Sequence, residues 1–156
     1  MLYAKDKGFA MKLFTIGFTQ KNAKEFFSLL EKNGVDCLVD VRLNNVSQLA
    51  SFTKSTDLEY FLQKILGVRY LHSEHYAPTK DILDKYRKGE IDWAEYERRY
   101  VKLISDKKIE TLFFKTTEKY NNVCLLCSEP TPEHCHRRLM AEYLQKADPT
   151  ISIIHL

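Results

Sequence analysis

The chain has 156 residues, a formal net charge of +3 and 44% hydrophobic residues, which is the composition of an ordinary globular protein. One domain accounts for this length, and no apolar run approaches the ~20 residues of a membrane span. The first residues contain no hydrophobic signal region, so we expect a cytoplasmic protein, without a membrane partner, whose four cysteines remain thiols. The mild positive charge permits an anionic partner without requiring one.

Five short apolar runs predict the strands of one sheet. Parallel strands that are covered on both faces have this nearly continuous apolar pattern. The runs cover residues 13–18, 38–41, 68–71, 123–126 and 151–154. We expect a single α/β domain over residues 12–156, preceded by an N-terminal extension over residues 1–11.

Segments with helical periodicity separate these strands. Capping-box patterns begin three of them, at residues 22–25, 56–59 and 92–95. Two weaker helices are predicted over residues 79–88 and 107–117. Thr131 is the predicted N-cap of the last helix, with Pro132 at its first position. The alternation predicts a three-layer α/β fold, with a mostly parallel sheet of about five strands and helices on both faces.

Polar residues gather at the ends of the predicted strands. In such sheets, ligands bind beyond the carboxyl ends of the strands, at the point where the strand order reverses. The residues at these ends are Gly17, Thr19, Asp40, Arg42, His72, His75, Cys127 and Glu129. The sequence therefore predicts one shared site at this edge of the sheet.

Asp40 and Arg42 end the second apolar run, and the alternation of a strand points both side chains to the same side. Arg42 can give two parallel hydrogen bonds to a phosphate or carboxylate. Asp40 can orient that arginine or accept a proton. A structural ion pair that closes the strand end is the alternative.

Residues 123–139 bring the thiols of Cys127 and Cys135, the carboxylate of Glu129, two imidazoles and two guanidiniums to a strand-to-helix junction. Three interpretations of Cys127 and Cys135 stay open. A nucleophilic or redox thiol is favoured by the helix N-terminus and by Arg137. A metal site can be drawn from both thiols, His136 and a distant His72 or His75, and two half-buried inert thiols are the third interpretation. The spacing matches no usual zinc pattern, so we predict neither a metal nor a cofactor.

The neighbouring residues of the last helix are also ambiguous. His136 lies on its apolar stripe, where it either contacts a ligand or is a buried imidazole bonded to a strand end. Arg137, in the first turn, opposes the helix dipole, which is easier to explain if it helps to hold an anion. Glu129 is a candidate acid or base, or a partner of Arg137 or Arg42.

Several short motifs resemble, in order and spacing, the domain-of-unknown-function 488 family. They are Thr15-Ile-Gly17, Val39-Asp-Val-Arg42 with Ser47, Gly67-Val-Arg-Tyr-Leu-His72, Leu125-Leu-Cys127-Ser-Glu129, Cys135-His-Arg137 and Ile154-His155. The resemblance covers roughly residues 12–156. It implies a small cytosolic α/β protein without an established activity. Its recurring polar residues map onto Asp40, Arg42, His72, Cys127, Glu129, Cys135, His136 and Arg137.

The chain departs from the family pattern in three places. Phe18-Thr19 replaces a common His-Ser, Asn45 stands where proline is common, and residues 73–78 replace a Leu-Gly-Gly turn. These departures weaken the transfer of any family-wide activity to this chain.

Two functions of different classes follow. The first is an enzyme acting on a phosphate-bearing ligand, such as a nucleotide or a nucleic-acid end. Its residues would be Arg42 and Arg137 for the anion, Glu129 or Asp40 as acid and base, Cys127 as nucleophile, and Cys135, His136, His72, Gly17 and Thr19 as further ligand contacts. The alternative is a non-catalytic domain that binds an anion or nucleic acid with the same arginines. The sequence does not predict an oligomeric state.

Overall fold

The computed structural model describes residues 10–45 and 51–156. Residues 1–9 of the expected extension, and Ser47 of the family pattern, lie outside the described residues. The described residues form a five-stranded, all-parallel sheet with helices on both faces, which confirms the predicted three-layer α/β fold. None of the helices in these two ranges has the length and apolar character needed to cross a membrane.

The strands of the sheet have the order β3-β2-β4-β1-β5. They are β1 (Lys12–Gly17), β2 (Cys37–Asp40), β3 (Arg69–His72), β4 (Asn122–Cys127) and β5 (Ser152–His155). Every strand was predicted, and each boundary lies within one residue of its predicted position. Met11, which we had assigned to the extension, is buried, and its carbonyl accepts a hydrogen bond from the Ser152 amide.

Six α-helices connect the strands. They are α1 (Ala23–Lys32), α2 (Ser55–Phe61, continued by a π-helical turn, Leu62–Leu66), α3 (Lys80–Arg87), α4 (Trp93–Asp106), α5 (Ile109–Thr116) and α6 (His136–Ala147). The predicted capping box at Asn22 is confirmed, because its side chain and that of Glu25 exchange hydrogen bonds of 2.9 Å with each other's amides. Asp92 caps α4 as predicted. The capping box at residues 56–59 is wrong, since α2 begins at Ser55 and its N-cap, Lys54, makes no side-chain hydrogen bond.

The predicted start of the last helix is also wrong. Helix α6 begins at His136, with Cys135 as its N-cap, and the preceding residues form a turn in which the Cys135 amide donates to the Pro132 carbonyl. Contacts with the sheet fix the first turn of α6, as described below, and they override the local signals of Thr131 and Pro132. The amides of Glu133 and His134 therefore do not lie at the helix N-terminus.

The direction of each connection determines which face its helices cover. The chain runs from β1 to β2 to β3 in one direction along the sheet, and α1 and α2 cover the face that carries Phe14 and Leu38. It returns to β4 and then to β5 in the other direction, and α3 to α6 cover the opposite face. Crossovers of one handedness must change faces when their direction reverses. Strand β4 lies between β1 and β2, but the helix that follows it, α6, covers the opposite face from α1 and α2. The carboxyl end of β4 is therefore the switch point where ligands bind in α/β sheets.

Candidate active site

Strand β4 ends at Cys127, and helix α6 begins beside it with Cys135 and His136. The two sulfur atoms and an imidazole nitrogen of these residues lie within 4.8 Å of one another, and all three side chains are buried. We call Cys127, Cys135 and His136 the cysteine–histidine cluster. The structure therefore brings together three of the predicted site residues at the switch point.

The sulfur of Cys127 accepts several hydrogen bonds. The Cys135 thiol makes the largest contribution to lowering the pKa of Cys127, and the backbone amides of Ser128 and Glu129 and the charge of Arg137 lower it further, against the opposing effect of burial. The same hydrogen bond, together with burial, raises the pKa of Cys135 well above its usual range. Hydrogen bonds to the charged form favour it. Cys127 is therefore the more acidic thiol of the pair.

His136 is held by the end of strand β2. Its Nε2 lies 2.8 Å from the Val41 carbonyl oxygen, and because a carbonyl only accepts, Nε2 carries a hydrogen. The Cys127 sulfur lies 3.6 Å from Nδ1 and 3.7 Å from Nε2. Nearly equal distances place the sulfur out of the ring plane, since an equidistant position in the plane would clash with Cε1. The imidazole is thus a buried group bonded to a strand end and is not aligned to take the proton of Cys127.

The same geometry bears on the metal interpretation. A metal ion binds a histidine along the in-plane lone pair of one nitrogen, and the other nitrogen usually donates to a partner such as a carbonyl. Here the sulfur of Cys127 lies out of the plane, so a metal shared with Nδ1 requires the ring to rotate and to alter its bond to Val41. The absence of a metal stays a prediction, tested below.

A pocket of about 300 Å³ opens beside the cluster. Its wall includes the three cluster residues, Glu129, His134, Tyr86, Lys80 and Arg87. The Glu129 carboxylate and the Arg87 guanidinium are exposed, and neither makes an ion pair or side-chain hydrogen bond with any residue in the described ranges. Lys80 is paired with Asp84. The pocket thus combines the more acidic thiol of the pair, a free carboxylate and a free cation.

Arg137 is fully buried beneath the end of strand β1. Its Nε donates to the Thr15 hydroxyl at 3.2 Å, and its Nη1 donates to the Glu129 carbonyl. The contact with Glu129 lies directly against Gly17. A Cβ atom at this position would be 1.6 Å from the Glu129 carbonyl oxygen and 2.9 Å from Nη1. Nη2 is buried and has no hydrogen-bond partner among the described residues. Gly17 therefore makes room for Arg137, and Arg137 has one unused donor.

Comparison with known proteins places this site within a recognised family. The family model described as "Domain of unknown function DUF488" matches residues 22–144. The chain belongs to this family. No curated protein and no solved structure matches the chain significantly. The residues matched to the DUF488 model include Asp40, Arg42, the whole cysteine–histidine cluster and Arg137, whereas Thr15 and Gly17 precede them.

Asp40 of the DUF488 domain faces away from Cys127, and the Arg42 guanidinium pairs with it. Val39 and Val41 pack in the same cluster as Cys127, so the alternating Asp40 points to the other face. The Asp40 carboxylate binds Arg42 Nε and Nη2 at 2.9 and 2.8 Å, and it accepts a hydrogen bond from Tyr70 at 2.6 Å.

Further contacts complete this network on the Asp40 side. The Arg42 guanidinium also donates to the Thr53 carbonyl at 2.7 Å and lies over the Phe18 ring. Arg42 borders the pocket, but its charge is occupied. The two predicted anion ligands, Arg42 and Arg137, therefore do not converge as we had expected. Asp40 is fully enclosed in a structural network.

The remaining predicted residues lie outside the pocket. His72 is exposed beside Asp40 on the neighbouring strand, with Nε2 3.0 Å from the Arg42 carbonyl oxygen. Thr19 is exposed, and its amide donates to the Ser128 carbonyl. Sequence reasoning missed Tyr70 as the second partner of Asp40 and Arg87 as the free cation, because a strand tyrosine and a helix-surface arginine do not by themselves indicate chemistry.

Proposed function

We propose that this protein is an enzyme in which Cys127 attacks an anionic, phosphate-bearing ligand, such as a nucleotide or a nucleic-acid end, in the pocket at the end of strand β4. The observation that carries this proposal is the environment of the Cys127 sulfur. A thiolate, rather than a thiol, is the nucleophile in cysteine chemistry. Three hydrogen bonds and a nearby guanidinium favour the thiolate of Cys127, although the residue is buried.

The contrast with the other cysteines supports a chemical role for this one. Cys37 and Cys124 are buried under the helices, and neither lines the pocket. Burial, the main cause, raises the pKa of Cys37 to about 12, and it also raises the pKa of Cys124. These two residues have the features of inert core thiols.

The charges around the pocket support an anionic ligand. Arg87 stands at its rim without a paired carboxylate among the described residues. Arg137 adds positive charge behind Cys127 and has an unpaired buried donor. The volume of about 300 Å³ is at the small end of the ~300–1,000 Å³ typical of ligand pockets. A single nucleotide or a strand end fits this size better than a duplex does, and the rings of Tyr86 and His134 in the wall suit a base.

Glu129 is placed to move protons in the proposed reaction. Attack by the thiolate forms a sulfur–phosphorus bond and breaks a phosphorus–oxygen bond, and the departing oxygen takes a proton from the Glu129 carboxyl group. The carboxylate then removes a proton from water, whose oxygen attacks phosphorus and releases the Cys127 thiolate. This division of labour is general acid–base catalysis by one residue in two steps. Asp40 takes no part, because its oxygens are occupied on the other face of the sheet.

Alkylation measures the thiolate directly. The rate of Cys127 alkylation by iodoacetamide should follow the thiolate fraction, with a midpoint below the ~8.5 of a free cysteine. Cys135→Ser replaces the weak thiol donor with a shorter side chain that carries a stronger hydroxyl donor, so it should change this midpoint, whereas Cys124→Ala should not. The groups that face Cys127 from α4 are Tyr96 and Tyr100, whose pKa values burial raises, so they stay neutral over this range.

Activity is tested with a chromogenic phosphomonoester and a panel of nucleotides, and binding with inorganic phosphate by calorimetry. Cys127→Ser should abolish turnover and retain phosphate binding. Arg87→Ala should weaken phosphate binding several-fold, while Lys88→Ala, an exposed neighbour outside the pocket wall, should leave it unchanged. Turnover that survives Cys127→Ser would sink the proposal.

The non-catalytic binding domain remains the second candidate. Cys127 is only 5% exposed, and this low exposure favours a thiol that shapes a binding pocket without reacting. Phosphate or nucleotide binding that depends on Arg87, combined with no turnover of any compound and no effect of Cys127→Ser, is the outcome expected for this candidate.

A further inference from the structure

The two thiols of the cysteine–histidine cluster are direct neighbours. The sulfur atoms of Cys127 and Cys135 belong to the group of atoms that all lie within 4.8 Å of one another. Cys127 is fixed at the end of strand β4, and Cys135 is the extended N-cap residue of α6. The residues between them form turns and bends, without a helix or strand. A small adjustment of this connection is enough to bring the sulfurs to bonding distance.

Both thiols also border the open pocket. Cys127 and Cys135 line its wall, so a small oxidant that enters the pocket reaches them. Cys37 and Cys124 are fully buried elsewhere in the sheet and do not line it. Access and proximity thus single out one pair among the four free cysteines.

We propose that Cys127 and Cys135 form a reversible disulfide when a hydroperoxide enters the pocket, which makes this pair a redox site of the protein. The disulfide goes beyond the proposed function, since its formation requires only the two thiols and access through the pocket. If Cys127 is the nucleophile proposed above, the disulfide also switches that activity off.

The oxidation takes place in two balanced steps. The Cys127 thiolate attacks the terminal oxygen of the hydroperoxide, the oxygen–oxygen bond breaks, and the alkoxide leaves as an alcohol after taking a proton. Cys127 is then a sulfenic acid. The sulfur of Cys135 attacks it, the sulfur–oxygen bond breaks, and hydroxide leaves as water with the proton of Cys135. The two thiols lose two electrons, the peroxide gains them, and an external dithiol returns the pair to its reduced form.

The asymmetry of the pair assigns these roles. Hydrogen bonds lower the pKa of Cys127, so it is the attacking thiolate, while the pKa of Cys135 is raised and it remains a neutral thiol until the second step. Low-pKa cysteines beside a second cysteine are the usual arrangement of redox-sensitive sites. The His136 imidazole takes no part in either step, because its Nε2 donates to the Val41 carbonyl and its contact with the Cys127 sulfur lies out of the ring plane.

The test uses hydrogen peroxide in a small molar excess, with a chelator present, on the unmodified protein. Denaturing alkylation and intact-mass measurement count the remaining thiols. We expect the count to fall from four to two and to return to four after treatment with dithiothreitol. Cleavage by glutamyl endopeptidase after Glu133 separates Cys127 from Cys135, so a disulfide-linked pair of fragments identifies a bond between Cys135 and a cysteine of the other fragment.

Three variants sharpen the assignment. Cys124→Ala, which removes the other thiol of the same fragment, should fall from three thiols to one. Cys135→Ser should stop at a Cys127 that has gained oxygen, and Cys127→Ser should keep all three of its thiols. Retention of four thiols by the unmodified protein, or a bond that involves Cys37 or Cys124, would overturn the proposal. Neither result alters the alkylation and turnover measurements that test the proposed function.

Discussion

The buried pair of Asp40 and Arg42 gives the sharpest test of whether this strand end is structural. Arg42→Met keeps much of the side-chain volume and removes the charge. Asp40 is fully buried and Arg42 is 3% exposed, so the substitution leaves an uncompensated carboxylate with only Tyr70 and the Arg42 amide as donors. Removing one partner of a buried pair costs about 3–5 kcal/mol. At about 2–4 °C per kcal/mol for a domain of this size, the melting temperature should fall by about 6–20 °C.

The measurement is urea unfolding followed by circular dichroism, with thermal melting as a second readout. The double variant Asp40→Asn and Arg42→Met removes both charges and keeps an acceptor for Tyr70. It should therefore be more stable than Arg42→Met alone, which is the coupling expected of residues in contact. Lys102→Met breaks an exposed pair with Asp106 and is the matched control, expected to show no measurable change. If Arg42→Met unfolds at the wild-type urea concentration and only phosphate binding is lost, Arg42 is a ligand-binding residue and this reasoning is refuted.

Three further outcomes are expected. Gly17→Ala should destabilise the fold by about 1–3 kcal/mol, because its Cβ would overlap the Glu129 carbonyl, and a urea midpoint equal to that of the wild type would contradict this. The protein purified without added metal should hold far less than one equivalent of zinc by elemental analysis, and one equivalent retained after dialysis would establish a metal site at the cysteine–histidine cluster. Hydrogen bonds from Arg98 and Arg99 lower the pKa of Glu95 to about 2. The contribution of Glu95 to stability is therefore complete above its ordinary pKa and is lost as the pH falls through 2. An NMR titration midpoint of Glu95 near the ordinary value would contradict this prediction.

The sequence predicted local features well where neighbouring residues alone determine them. All five strands follow from runs of apolar side chains, and the capping box of Asn22 and the N-cap of Asp92 depend on residues three positions apart. The same local reasoning was wrong at Thr131, because the start of α6 is determined by contacts with β1 and β2 that no local pattern contains. Tertiary contacts outweigh capping preferences of about 1 kcal/mol.

The site was predicted in part for a related reason. Alternation along one strand correctly placed Asp40 and Arg42 on the same side. Whether that side also faces Cys127 depends on the register between strands, in which Asp40 pairs with Leu126 and not with Cys127. The sequence carries no direct signal for this register, so residues on opposite faces were assigned to one site. The strand-end location was predicted, and the division between two faces was not.

The strand order also determines when the site comes into existence during folding. Strand β1 lies between β4 and β5, and Lys12 pairs with Asn122 on one side and with Ser152 on the other. Contacts so distant in sequence form slowly, because a long loop must close before they are made. Strand β1 is synthesised early, and both of its edges therefore stay unpaired until strands β4 and β5 have been synthesised. Thr15, Arg137 and Cys127 come together only then, so a ribosome-bound chain that ends before strand β4 contains Arg87 but lacks Cys127, Glu129 and the other cluster residues of the pocket.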